Sequence, residues 1–173
     1  MSENNVLPVI LAGGKSRRFG GDKSKAKLGD LTLLDHTIQK LKKKFDEILI
    51  ISNEENNKEI ANVSYSKDVM EGQLGPLVGV LSSMEWILSN RKNYQWVMTF
   101  PCDTPFFNED IVDQIKQKQS QSDKKLFFLK SGEKRHNIFG MWSVDLKDQL
   151  RKDLEAGDRK VEDWANKIGT EII

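Results

Sequence analysis

The sequence predicts an α/β domain, a mainly parallel sheet with helices on both faces. Three observations predict it. Short apolar runs rich in Val, Ile and Leu alternate with amphipathic segments along almost the whole chain. The first of those runs, Val6–Ala12, passes abruptly into glycine and positive charge, as a buried strand does where it gives way to a ligand loop. A chain of 173 residues is long enough to bury a proper core and suits one domain spanning 1–173.

Taken in order, Val6–Ala12 is the first strand. Thr32–Phe45 comes next as a helix, with Leu33, Leu34, Ile38, Leu41 and Phe45 on one face. Lys40, Lys42, Lys43 and Lys44 near its end suit the helix dipole and read as a solvated face. Glu47–Ser52 contains the short buried strand Ile48-Leu-Ile-Ile51. Glu54–Ile60 is a candidate short helix, and Asn62–Ser66 a weaker strand. A glycine-rich loop, Gly72 to Gly79, leads into a helix that Pro76 opens and that runs to about Ser89. Gly79 inside that helix costs stability, which close approach by a ligand or by another element would explain.

Gln95–Phe100 is the next strand and runs into Pro101-Cys-Asp-Thr-Pro105. Asn108 or Glu109 opens a helix containing Ile111, Val112 and Ile115. Leu126–Leu129 and Asn137–Trp142 are strands flanking the polar turn Gly132-Glu-Lys-Arg135. Val144, Leu146, Leu150 and Leu154 mark a further helix that ends near Gly157, and Val161–Ile168 is the last.

Composition excludes several classes. The net charge is +1, so nothing global argues for a nucleic-acid or membrane surface. No apolar run approaches the length of a membrane span, and Met1-Ser-Glu-Asn-Asn5 lacks a signal-peptide pattern. The one cysteine, Cys102, leaves no room for an internal disulfide or a Cys-rich zinc site and fits a cytoplasmic location. It reads as a small buried residue, since no histidine is paired with it in sequence. His36, His136 and the four tryptophans carry no clear chemical signal.

Charge is uneven locally. Residues 15–27 carry six Lys or Arg against Asp22 alone, with glycines at 13, 14, 20 and 21. Glycine lets the backbone turn its N–H groups inward, and consecutive inward N–H groups form an anion nest. Lys15, Arg18 and Lys23 would add charge to it, so a phosphate chain, most economically a nucleoside triphosphate, is the expected ligand. Gly14-Lys15-Ser16 is not a P-loop end, because Val9 stands where that motif needs glycine. Adjacent Gly13 and Gly14 also exclude the dinucleotide fingerprint.

In a parallel sheet, ligands sit at the carboxyl ends of the strands. The loops after the strands should therefore bring Gly13–Lys23, Asn53, Asp68 and Asp103 to one crevice. Asp103, stiffened between two prolines, is either an Asx-turn residue or a carboxylate for Mg²⁺, and the basic loop favours the metal. Asp68 either accepts hydrogen bonds from a ribose or base or caps a turn.

Leu11-Ala-Gly-Gly-Lys-Ser-Arg-Arg-Phe-Gly-Gly-Asp-Lys23 closely resembles the signature of the molybdenum cofactor guanylyltransferases. Asp68, Gly75-Pro-Leu-Val-Gly79, Pro101-Cys-Asp-Thr-Pro105 and Gly157-Asp-Arg-Lys-Val161 continue the likeness in order over most of the chain. The resemblance implies a three-layer Rossmann-like nucleotidyltransferase fold. It implies GTP with Mg²⁺ as the nucleotide, molybdopterin as the acceptor and pyrophosphate as the by-product. Protein partners of the same pathway are compatible with it. By that likeness Leu11, Ala12, Gly13 and Gly14 line the nucleotide and Lys23 contacts its phosphates. Asp68 and Asp103 fall at nucleotide positions, Asp103 also holding the metal, and Gly75 and Gly79 approach the guanine side. The strand-end polar residue falls at Ser52 or Asn53. Lys15, Arg18, Lys23 and Asp103 are the catalytic set.

Two departures stand out. No Asn-x-Asn-Thr-Pro segment, usual late in the family, occurs in residues 1–173, and Arg135-His-Asn-Ile138 lacks a proline often found there. The missing segment motivates one alternative, a GTP-binding module without transfer activity; a related nucleotidyltransferase with another base or acceptor is a second.

Overall fold

The computed structural model describes residues 5–12, 27–54, 59–72 and 75–173. Its frame is a seven-stranded sheet. The strands are β1 (Val6–Leu11), β4 (Ile48–Ile51), β5 (Val63–Ser66), β6 (Trp96–Pro101), β7 (Leu126–Ser131), β8 (Lys134–Ser143) and β9 (Glu171–Ile172), ordered β5-β4-β1-β6-β8-β7-β9. Every neighbouring pair is parallel except those of β8, which is antiparallel to both β6 and β7. The helices are α1 (Leu33–Lys42), α2 (Pro76–Ser89), α3 (Asp110–Ser120), α4 (Lys147–Glu155) and α5 (Val161–Ile168), with a 3-10 turn at Val144–Leu146 before α4.

The pleat explains the two cores. Successive strand side chains point to opposite faces. Leu7 and Val9 of β1 meet Leu77, Leu81 and Met84 of α2, with Leu150 of α4 and Trp164 of α5 in the same core. Val6 and Ile10 of the same strand join Ile38 and Leu41 of α1 and Val112 and Ile115 of α3 on the other side. A strand buried on both faces must read as an unbroken apolar run, and Val-Leu-Pro-Val-Ile-Leu does. The three-layer α/β/α arrangement expected from the sequence is therefore the one found.

Local chemistry sets the boundaries. Thr32 is the N-cap of α1: its Oγ1 accepts from Asp35 N at 3.0 Å, while Asp35 accepts from Thr32 N at 3.3 Å. The α1 helix stops at Lys42 rather than at Phe45, whose ring joins the core from the next turn under the Lys116 ammonium. Pro76 occupies the first turn of α2, as expected. Gly157 comes after α4 with φ +107, a backbone that favours glycine. The candidate helix at Glu54–Ile60 lies largely outside the described residues.

Two elements carry no periodic signal because each spans two residues per strand. Lys27–Leu28 (β2) and Leu31–Thr32 (β3) form a hairpin, to which His36 Nε2 is tied by a 2.7 Å bond with the Leu28 carbonyl. The terminal Glu171–Ile172 joins the edge of β7, where Lys130 N donates to Ile173 O at 2.8 Å. Both tertiary pairings lie beyond what a 3.6 or 2-residue period can report.

β8 is also longer than expected and irregular. Phe128 pairs with Gly140, but the next β7 residue, Leu129, pairs with His136, so β8 holds extra residues over Asn137–Phe139. Thr99 Oγ1 donates to the Ile138 carbonyl at 2.6 Å and accepts from Trp142 Nε1 at 2.9 Å, which pins the bulge to β6. A side chain at Gly140 would meet the Phe128 ring at 2.7 Å and the Phe127 carbonyl at 2.9 Å. Gly140→Ala is accordingly expected to lower stability by about 1–3 kcal/mol. A denaturation midpoint unchanged from wild type would refute it.

Candidate active site

The strand registers fix where the site lies. Leu11 is paired with Ile51 on one side and with Pro101 on the other, and Ile51 is paired with Ser66. The four strand ends therefore stand in one row, Ser66, Ile51, Leu11, Pro101. Neighbouring strands are ~4.8 Å apart, so the row spans ~14 Å. The ladder persists one residue further: Ala12 N donates to Ile51 O, and Ser52 N to Ser66 O, both at 2.9 Å. Asn53, Asp68 and Asp103 each lie two residues past the end of one of these strands, so the backbone brings these three of the expected residues to one edge of the sheet, while Gly13–Lys23 lie outside the described residues.

At the β5 end of the row, Asn53 and Asp68 hold one another. Asn53 Nδ2 donates to Asp68 Oδ2 at 2.8 Å, and Asp68 N donates back to Asn53 Oδ1 at 3.1 Å. Ser52 instead turns its hydroxyl to Glu54 N at 3.3 Å. Of the two residues open in the sequence, Asn53 is the one bonded to Asp68. Burial raises the Asp68 carboxyl above its ordinary pKa, and the Asn53 hydrogen bond opposes that rise.

At the other end, Asp103 sits just past β6 in a half-buried turn. A residue far away in sequence anchors this turn. Lys40 Nζ donates to the carbonyls of Pro105 at 2.5 Å and Phe107 at 2.7 Å and lies 4.8 Å from the centre of the Phe107 ring. Lys43 pairs with Glu109 at 2.9 Å and Lys44 with Asp113 at 2.8 Å. Lys40 of α1, with Lys43 and Lys44 just past its end, thus fastens the turn and α3, a role the expectation of a solvated face did not include, while Lys42 and Lys43 are exposed as expected. The partners of Lys40, Lys43 and Lys44 lie more than 60 residues away, so only the fold could reveal them.

Between these ends stands the start of α2. Gly75 is its N-cap with φ +81, and no side chain caps the terminus. The Gly75 Cα faces the neighbouring Arg159 carbonyl, which an added Cβ would meet at 3.8 Å. That contact brings the Gly157–Val161 segment against the α2 loop. Gly79 is buried, and a Cβ there would lie 2.8 Å from Leu11 Cδ2. Of the two explanations for this glycine, the structure shows close approach by another element, with β1 as the neighbour. Gly79 supports the Leu11 side chain from behind. Leu11 itself is half-buried and Ala12 is buried. Gly13, Gly14, Lys15, Arg18 and Lys23 lie outside the described residues.

Among the described residues no group of three or more His, Cys, Asp or Glu could hold a metal ion. Magnesium takes one or two carboxylates and completes its shell with water and substrate phosphates. The hard carboxylate oxygens of Asp103 are a suitable donor. Cys102 is half-buried beside it. No described helix is long and apolar enough to cross a membrane.

Comparison with known proteins agrees with this geometry. Residues 8–170 match the model of the MobA-like NTP transferase domain. The chain belongs to that family. It is 33% identical over 159 residues to a molybdenum cofactor guanylyltransferase of Nitrobacter hamburgensis, covering 90% of this chain and 76% of that protein. A molybdenum cofactor guanylyltransferase of Haemophilus influenzae is 34% identical, with 90% and 80% covered. Molybdopterin-guanine dinucleotide biosynthesis protein A of Archaeoglobus fulgidus superposes with a TM-score of 0.78 at 14% identity, over 96% of this chain and 82% of that one. The chain is a nucleotidyltransferase in fold and family.

Two measurements probe the geometry. A raised carboxyl pKa means that the folded chain holds the proton more tightly than the unfolded one. The Asp68 contribution to stability is then present below the unfolded pKa and lost as pH rises through the folded pKa. Asp68→Asn should melt higher than wild type near pH 7, with the gap closing below about pH 3; a lower melting point at neutral pH would contradict this. Lys40→Met keeps an apolar stem over Phe107 but removes both bonds to the turn. It should cost about 1–2 kcal/mol in denaturant titration, and no loss would mean that the prolines hold the turn alone.

Proposed function

We propose that this nucleotidyltransferase transfers GMP from GTP to molybdopterin and releases pyrophosphate. The observation that carries the reading is the aligned row of strand ends, with the Asn53–Asp68 pair at one side and the Asp103 turn at the other. The names of the two relatives, at 33% and 34% identity, supply the base and the acceptor.

The row orders the substrate. The nucleoside lies over β5 and β4, where the Asp68 carboxylate and Asn53 amide offer an acceptor and a donor. The phosphates lie over β1, the strand whose following residues include Lys15, Arg18 and Lys23. The α2 terminus at Gly75 adds a backbone positive end near the nucleotide. Asp103 lies at the far end of the row, where its carboxylate would hold a magnesium ion. When bound, that ion supplies positive charge to the phosphate oxygens.

The acceptor's terminal phosphate is largely ionised at neutral pH, as phosphomonoesters with a second pKa of ~6 are. No general base is needed. One of its oxygens forms a bond to the α-phosphorus of GTP, and the bond from that phosphorus to the bridging oxygen of the β-phosphate breaks. Pyrophosphate leaves with the bonding electron pair. Lys15, Arg18 and Lys23 neutralise charge on the non-bridging and leaving oxygens, and the strand ends hold the reactants in line. Positioning and electrostatics are the main sources of rate in such transfers.

The test is pyrophosphate release from GTP and Mg²⁺, with and without molybdopterin. Acceptor-dependent release is expected from wild type and should fall at least ~100-fold in Asp103→Ala. CTP and ATP should support less release than GTP. GTP binding without release on adding acceptor would instead favour a nucleotide-binding module.

A further inference from the structure

The row of strand ends continues past β6. Thr99 of β6 is level with Gly140 of β8, and Gly140 with Phe128 of β7. β6 and β7 run in the same direction, so two residues further on, Pro101 is level with Lys130. Lys130 is paired with Arg135. In a regular antiparallel ladder Lys130 would face Ile138 instead. The extra residues at Asn137–Phe139 change this, and they draw Arg135 into the row of Leu11 and Pro101.

Arg135 is unusual in its surroundings. Its Nη1 is the buried side-chain nitrogen or oxygen that, among the described residues, has no hydrogen-bond partner. A guanidinium stays charged at any physiological pH, and its donors have no alternative protonation state. Burying an NH2 group of a cation without an acceptor is costly, and native structures reserve such groups for a ligand or an ordered water. Lys130 and Lys134 flank it on the same hairpin, with Glu133 as the acid of the turn, 3.8 Å from Lys130. The hairpin therefore presents a cationic edge at the level of the site.

In the reading above the Lys15, Arg18 and Lys23 side chains take the GTP phosphates and the leaving pyrophosphate, which leaves the edge beyond the Asp103 turn for the phosphate that attacks. We propose that Arg135 binds the phosphate of the acceptor, and that the β7–β8 hairpin is the acceptor side of the site. This rests on the transferase reading above. The guanidinium fork suits a phosphate with two parallel hydrogen bonds. It would steer the attacking phosphate against the electrostatic repulsion of the GTP phosphates.

Steady-state pyrophosphate release by wild type, Arg135→Gln and Arg135→Lys, varying each substrate at saturating levels of the other, tests this. In Arg135→Gln the KM for molybdopterin should rise about 10- to 100-fold, with the KM for GTP changed less than about twofold. Arg135→Lys should recover part of the loss. An unchanged acceptor KM, or parallel rises in both, would overturn the assignment. A second measurement is independent of turnover. With a non-hydrolysable GTP analogue bound, inorganic phosphate should raise the melting temperature of wild type more than that of Arg135→Gln. Equal shifts would mean that Arg135 holds only water. If wild type gives no acceptor-dependent release but the phosphate shift depends on Arg135, the transferase reading fails while the anion site stands.

Discussion

The parallel pairing of β1 between β4 and β6 is the constraint on which the rest depends. It places Leu11, Ile51 and Pro101 level, and the pairing of β4 with β5 adds Ser66. Hydrogen-bonded registers cannot drift by less than a residue, and a slip of one would turn every buried side chain to the wrong face. β1 is apolar on both faces, so its register is fixed from both cores at once. Asn53, Asp68 and Asp103, two residues past their strands, inherit that precision. A site of this kind is positioned by its scaffold before any loop contact is made.

Each arm of the site has its own fastening. The Asn53–Asp68 exchange ties the ends of β4 and β5. Lys40 ties the Asp103 turn to α1 through two carbonyls. Behind the Gly157–Val161 segment, Asp153 joins α4 to α5. Its nearly buried carboxylate accepts from Trp164 Nε1, Gln149 Nε2 and Lys167 Nζ at 2.8–3.0 Å. Burial alone would raise the Asp153 pKa, but the bonds from Lys167, Gln149 and Trp164 outweigh it and hold the carboxyl below its ordinary value. A buried charge is tolerable only when satisfied in this way. Arg159, at the front of the same segment, donates through Nη1 to the Leu154 and Asp158 carbonyls. The turns of the candidate site are thus fastened from behind by strands and helices.

Much of this was legible in the residues. The alternation of apolar runs with amphipathic segments sufficed for the α/β class, because burial on two faces leaves an unbroken apolar strand. Asn53, Asp68 and Asp103 were recognisable as polar residues one or two positions past such strands. Gly79 was recognisable as a glycine needing an explanation, but only the packing shows that Leu11 supplies it. The partners of Lys40, Lys43 and Lys44 were missed for a definite reason: a helical wheel gives the face that a lysine occupies, not the distant carbonyl or carboxylate that meets it.

The sequence by itself determined the α/β class, the buried apolar strands and the family, since these depend on local period and motif order. Tertiary structure alone decided which ends are level, that β8 runs against its neighbours, and that its bulge carries Arg135 into the row of the site. Those are pairings between residues far apart in the chain. Their energies depend on partners that local sequence does not name, and so only the folded sheet could choose them.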